Sequence, residues 1–329
     1  MSVTSLINEK RNAFGETVKG TKPPKSKFKT LSGKTAFSKR EYAAVVPYRT
    51  YSVDAGGETV DFPYHLYDTE YRSIVGMAFD YLARFIVAQT GCDASAHVLN
   101  RICAEVGLET ALRLFPNSAA KLRENFDTSM EAVKHFINTP EAEIDLIAKP
   151  ACFFARLDPL ARGFYQPENE DALFRDYSEG TLGDVIELGS LFKATIIDSG
   201  EINPDSFAIY NPHFGFASMR TGGADADLYV DGTLYDLKTS KDCGYAGNDV
   251  PQLWAYYLLA LIAQEDDDET SDFYDEQIGE FHSIERIALY HARFGEVEYV
   301  DIDDLDKQEI EEAKQGVRAY FESGKRRIE

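Results

Sequence analysis

Residues 222–241 read Gly222-Gly-Ala-Asp225-Ala-Asp227-Leu-Tyr-Val-Asp231-Gly232-Thr-Leu-Tyr-Asp236-Leu-Lys238-Thr-Ser-Lys241. Two runs of alternating apolar and polar residues flank Asp231-Gly232, a pair suited to the positive backbone angles of a type I′ turn, so the stretch predicts a tight β-hairpin. Side chains two apart on a strand share a face. Ala226, Leu228 and Val230 form the expected buried row, Asp225 and Asp227 point the other way, and Asp236 and Lys238 share a face of the second strand. With Asp231 and Gly232 as the turn, antiparallel pairing sets Asp227 opposite Asp236 and Asp225 opposite Lys238. Three carboxylates and one ammonium then crowd a single patch.

Like charges across a strand pair repel. A hard divalent cation removes that repulsion: Mg²⁺ binds through one or two carboxylates, keeps several waters and takes further ligands from phosphate oxygens. A lysine beside it can orient or help deprotonate a water and stabilise charge on the phosphate. These parts suit hydrolysis of a phosphodiester. An EF-hand calcium loop would use Asp225, Asp227, Asp231 and Asp236 at positions one, three, seven and twelve, but its glycine would fall at position eight rather than six, and the alternation calls for a strand where that loop coils. An ordinary hairpin with a solvated polar face is the plainer alternative. The common register of Asp-x-Asp, Asp-Gly and Asp-x-Lys argues against it.

With Gln252-Leu-Trp-Ala-Tyr256 downstream, the set Gly222-x-x-Asp225 (or the Ala-Asp of Asp227) and Asp236-x-Lys238 resembles the PD-(D/E)XK nucleases, in particular the RecB-like branch with its trailing Gln-x-x-x-Tyr. The resemblance spans about residues 206–300. It implies a restriction-endonuclease-like α/β core, a small mixed sheet flanked by helices, and a deoxyribonuclease that uses Mg²⁺ or Mn²⁺. Carried over, Asp227 (or Asp225) and Asp236 are metal ligands, Lys238 activates water, and Gln252 and Tyr256 support the site beside DNA. Both Asp225 and Asp227 lie on the correct face; Asp227 is preferred for its place opposite Asp236. Gly76-Met-Ala-Phe-Asp80 is similar in spacing to the Gly-x-x-x-His of that branch, whose last residue is a further ligand, although aspartate replaces the histidine. Pairing of Asp80 with Arg84 at i+4 is the plainer role. Glu187 is the alternative third acid, or simply an exposed helix carboxylate. Some RecB-like enzymes carry an iron–sulfur cluster on late cysteines; none follows Cys243 here, so it is not expected. Proteins of this kind act in DNA repair or in defence against phage.

Around this stretch, 329 residues with 44% hydrophobic content predict a globular protein with a sizeable core. Without a signal peptide or a long apolar run, a soluble, cytoplasmic protein with no membrane contact is expected. The cysteines Cys92, Cys103, Cys152 and Cys243 lack CxxC spacing and read as reduced thiols. The net charge is −22, which runs against binding a phosphate backbone. Its distribution is uneven: residues 1–40 hold ten Lys and Arg against Glu9 and Glu16, leaving −30 on the other 289. A basic arm over residues 1–40 is expected, lying on nucleic acid or an acidic partner, or solvated. The acidic body also fits a partner subunit that binds DNA.

The remaining chain divides into residues 41–180, strands and a helical region packed beside or inserted in the core, and 181–329, the nuclease core. Strands are expected within 41–51, a helix from an Asp68 cap to about Gln89, and helices from His97 to about Phe164 broken near Pro116-Asn117 and Thr139-Pro140. His97, His135 and His291 read as structural or solvent-facing. Beyond a helix from about Leu182 to Ala194 and a strand over 206–210, a helix is expected over Val250–Gln264 behind Pro251. Residues 265–276, with eight acids and no base, read as a solvated or disordered loop; strands at 284–290 and 297–302 and an exterior helix close the chain. The functional alternative to a nuclease is a catalytically silent interaction protein on the same fold, whose acidic body docks on a basic partner or mimics nucleic acid.

Overall fold

The computed structural model of the chain describes residues 3–34, 43–63, 71–92, 98–100, 102–163, 167–241, 245 and 247–324. Asp68, His97 and Cys243 lie outside them. The chain forms two compact units, Ala44–Phe207 in one and Met1–Ala43 with Ala208–Glu329 in the other.

The chain opens with helices α1 (Val3–Asn8) and α2 (Ala13–Thr21) and a short strand β1 (Lys29–Thr30). Asn12 caps α2, its Oδ1 accepting from the Phe14 and Gly15 amides at 3.0 and 3.3 Å, which satisfies donors that a helix start leaves orphaned. Val3, Leu6, Ile7, Phe14 and Val18 are buried. Residues 3–34 of the expected basic arm are therefore folded structure. Its charges alternate with apolar residues at helical spacing, and burial of that stripe outweighs the solvation of the lysines beside it.

The intervening unit begins with the hairpin β2 (Thr50–Ala55) and β3 (Glu58–Pro63), turning at Gly56-Gly57, and continues with α3 (Tyr71–Gln89), α4 (Cys103–Leu114), α5 (Ala119–Ile137), α6 (Asp145–Ala161), α7 (Asp171–Phe174) and α8 (Glu179–Phe192). The helical breaks fall at Pro116 and near Thr139. Gly107 lets α4 approach α6: a Cβ there would sit 2.1 Å from the Leu157 carbonyl oxygen. Buried Tyr81 donates to Asp158 Oδ2 at 3.0 Å and accepts from the Ala104 amide at 3.0 Å, tying α3 to both helices. Helix α8, expected in the core, belongs to this unit, capped by Ser178, whose hydroxyl accepts from the Thr181 amide at 3.1 Å.

The first unit resumes with β4 (Ala208–Tyr210), α9 (Gly215–Arg220), β5 (Leu228–Val230), β6 (Thr233–Lys238), α10 (Asp249–Glu265), the small hairpin β7 (Tyr274–Asp275) and β8 (Glu280–Phe281), β9 (Arg286–His291), β10 (Glu296–Asp301) and α11 (Lys307–Gly324). Six of the described strands make one sheet in the order β1-β10-β9-β6-β5-β4, and β7 pairs with β8 alone. β6 and β9 are parallel and the other neighbours antiparallel. The class is mixed α/β, a central mixed sheet flanked by helices. Strand β6 lies inside it and is buried on both faces, as is Tyr229 of β5, so the alternation of apolar and polar residues marks register here rather than exposure.

Two further expectations change. Helix α9 interrupts a stretch that carries no helical pattern; at six residues it is too short to nucleate alone, and it is held by bonds to residues outside it. The Ser218 hydroxyl accepts from the Phe214 amide at 2.8 Å and donates to the Ala224 carbonyl at 2.6 Å, and buried Asp268 accepts from the Phe216 amide. That last bond belongs to the acidic stretch 265–276, which is solvated only in part: Ser271 and Phe273 are buried along with Asp268, while Glu265, Asp266, Asp267, Glu269 and Glu276 stay exposed.

Candidate active site

The hairpin forms in the expected register. Asp231 and Gly232 turn with φ of 45° and 86°, and Leu228 pairs with Tyr235, Tyr229 with Leu234 and Val230 with Thr233. Continuing that register sets Asp227 against Asp236. The ladder of β5 ends at Leu228, and there the Asp227 carboxylate replaces a strand carbonyl: its Oδ2 accepts from the Leu237 amide at 2.6 Å. The Asp227 amide donates to the Tyr235 carbonyl at 3.3 Å. Asp225, one step further out, bridges His213.

On β6, Asp236 is 2% exposed, and its Oδ2 lies 2.7 Å from Nζ of Lys238. The two groups form an ion pair without the alignment of a hydrogen bond, and no aligned donor reaches that buried oxygen. Lys238 is oriented from the other side. Its Nζ donates to Gln252 Oε1 at 3.2 Å, and Gln252 Nε2 donates to the Tyr256 hydroxyl at 2.7 Å. Positions four apart on a helix share a face, so α10 presents the amide and the phenol together. The Tyr256 ring stacks on Phe214 at 5.6 Å between centroids.

Burial pushes Asp236 up to about 8; Lys238 pulls it down, while Asp227 and Asp249 add to the rise. Burial works to lower the Lys238 ammonium, but the carboxylates of Asp236, Asp249 and Asp227 outweigh it and hold the group above its ordinary value. The two directions compete, because an ionised Asp236 is what holds Lys238 up. The rise at Asp236 is the one the geometry supports, since that carboxylate is nearly fully buried with two other acids acting on it. Burial, then Asp236, also raises Tyr256 well above its usual value, keeping it a neutral hydroxyl.

Asp80 is half-buried on α3 and Glu187 is exposed on α8, both in the Ala44–Phe207 unit. Arg84 Nε donates to the backbone carbonyl of Asp80 at 3.1 Å, and Glu187 pairs with Arg49. Three residues join this neighbourhood that no sequence motif marks. Asp249, in the first turn of α10, acts on both Asp236 and Lys238. His291, expected to be structural, is the register partner of Lys238 across the parallel pair and meets Glu298 Oε2 at 2.7 Å. Phe214 supports Tyr256. Of the three, Asp249 alone has a sequence signal, as an acid three residues before the Gln-x-x-x-Tyr. A cavity of about 330 Å³ lies elsewhere in the unit, between α9, residues 266–270 and Phe321, and is lined by none of the six hairpin and α10 site residues.

Among the described residues no three His, Cys, Asp or Glu side chains converge to hold an ion by themselves. A Mg²⁺ site needs fewer, because water and phosphate supply the remaining ligands. The mutual repulsion of Asp227 and Asp236, which the single ammonium of Lys238 beside Asp236 offsets only in part, is what a cation would relieve, so the donor set fits such an ion. No protein-family model, no curated protein and no solved structure matches the chain.

Proposed function

We propose that the chain is a metal-dependent phosphodiesterase acting on nucleic acid, and in particular a deoxyribonuclease of the RecB-like PD-(D/E)XK kind. The observation that carries this is the relay Asp236–Lys238–Gln252–Tyr256 with Asp227 against Asp236. An isolated Asp-x-Lys needs no amide and phenol to aim it. Asp227 and Asp236 would hold Mg²⁺ or Mn²⁺, which when bound supplies Lewis acidity toward a phosphate oxygen and lowers the pKa of water. Lys238 orients the attacking water and offsets charge building on the phosphate. Gln252 fixes the ammonium in one rotamer, and Tyr256 fixes Gln252. The stacked, buried ring of Tyr256 excludes water from that side.

The test is cleavage of linear, circular and single-stranded DNA, and of RNA, with Mg²⁺ or Mn²⁺ by purified protein. Cleavage lost in Asp236→Ala and in Lys238→Ala is the expected result; activity surviving both refutes the assignment. The net charge of −22 and the Asp236–Lys238 ion pair favour a second reading, a silent interaction protein docking on a basic partner. Melting separates the two: a rise in Tm that grows with millimolar Mg²⁺ or Mn²⁺ and vanishes in Asp236→Asn supports the nuclease, and no shift supports docking.

A further inference from the structure

The basic N-terminal segment is folded against the helix that aims Lys238. The Asn8 side-chain oxygen Oδ1, at the end of α1, accepts from Asn248 Nδ2, and the Asn248 backbone carbonyl accepts from the Gln252 amide at 2.8 Å. Thr21 Oγ1 accepts from Trp254 Nε1 at 3.1 Å, and the Pro23 carbonyl accepts from the Tyr245 hydroxyl at 2.6 Å. Lys22 Nζ stands 6.0 Å from the centre of the Tyr245 ring. These anchors flank Gln252 in sequence on both sides, so the cations attached to them lie around the N-terminal end of α10. Lys10 and Arg11 follow Asn8 closely and are exposed; among the described residues neither takes part in an ion pair. Lys22 Nζ donates to the Lys19 carbonyl at 2.9 Å. By contrast Lys29 is committed to Asp301 and Asp304 at 2.8 and 2.7 Å. The segment's own acids, Glu9 and Glu16, are outnumbered by its cations.

We propose that Lys10, Arg11 and Lys22 form a track that binds a DNA phosphate backbone and leads it to the hairpin site. This rests on the nuclease reading. Beyond about 8 Å at physiological salt, charges are screened, so the patch acts locally although the rest of the chain carries −30. That excess of acid repels DNA elsewhere and confines it to the track, giving direction as well as affinity.

The experiment measures binding of a labelled duplex to full-length protein carrying Asp236→Asn, which suppresses cleavage, with and without Lys10→Glu, Arg11→Glu and Lys22→Glu together. Affinity is expected to fall at least tenfold at low salt. The slope of log K against log salt is expected to shrink by about 2 to 3, roughly 0.9 for each phosphate that the protein ceases to neutralise. Should the reversal lower Tm, the Gln triple is used, with a smaller loss in the same direction expected. Unchanged affinity and slope in a variant that melts like its parent overturn the track. If the wild type cleaves DNA while the triple variant binds as before, the track alone fails. If binding depends on the three cations but the wild type never cleaves with either metal, the nuclease reading fails and the delivery of DNA to the hairpin fails with it, while phosphate binding by the three cations stands.

Discussion

Asp236 is buried at a cost that Lys238 offsets only in part, and this gives it a pH signature. An aspartate titrates near 3.9 when unfolded, whereas here burial lifts it to about 8. A group raised on folding contributes stability that is complete below its unfolded pKa and is lost as pH rises through its folded one. Metal-free protein should therefore show Tm falling between about pH 4 and 8 from this group. Asp236→Asn should flatten the fall, and Mg²⁺ or Mn²⁺ should reduce it in the wild type; parallel Tm–pH curves for wild type and variant would remove Asp236 as the cause. Lys238→Ala should lower cleavage by roughly 10²- to 10⁴-fold. Gln252→Ala, which leaves the ammonium present but unaimed, should lower it by roughly 10- to 100-fold in single-turnover assays with DNA affinity retained. Equal losses in the two variants would contradict an orienting role for Gln252.

The hairpin depends on its turn. Gly232 has φ of 86°, and a Cβ there would sit 3.3 Å from Glu285 Cγ, so Gly232→Ala should cost about 1–2 kcal/mol in chemical denaturation. Gly107→Ala should cost more. Its Cβ would press on backbone at 2.1 Å, and α4 and α6 have to move apart, which strains the Tyr81 hydroxyl that bonds Ala104 of α4 and Asp158 of α6 together. A Gly107→Ala protein with an unchanged unfolding midpoint would show that the helices do not pack this closely. At this scale the sequence is readable wherever a local rule suffices. Asp231-Gly232 sets the hairpin register and Pro251 the start of α10, while α9 stays hidden because Ser218 and Asp268, through bonds beyond its own six residues, hold it.

For the molecule as a whole, residues 3–34 are structural as well as basic. Fully burying a large apolar side chain contributes about 1.5–3 kcal/mol, and Val3, Leu6, Ile7, Phe14 and Val18 are each at most 1% exposed. Net folding stability is only about 5–15 kcal/mol, so deleting residues 1–34 should unfold the sheet-bearing unit. Denaturant titration monitored at Trp254, which bonds Thr21, checks this; an unchanged midpoint would mean that the segment behaves as a tail. Among the described residues no helix is long and apolar enough to cross a membrane.

The sequence by itself determined the hairpin, its register and the opposition of Asp227 to Asp236, because a two-residue turn and a period of two leave no freedom once the turn is placed. It also marked Gln252 and Tyr256 as one helix face. Tertiary structure alone decided that Gln252 reaches Lys238, that Asp249 and His291 stand beside it, that Asp80 and Glu187 belong to the other unit, and that the basic segment folds against α10. Each of those concerns residues distant in sequence. Composition records the charges, but only packing decides which of them meet.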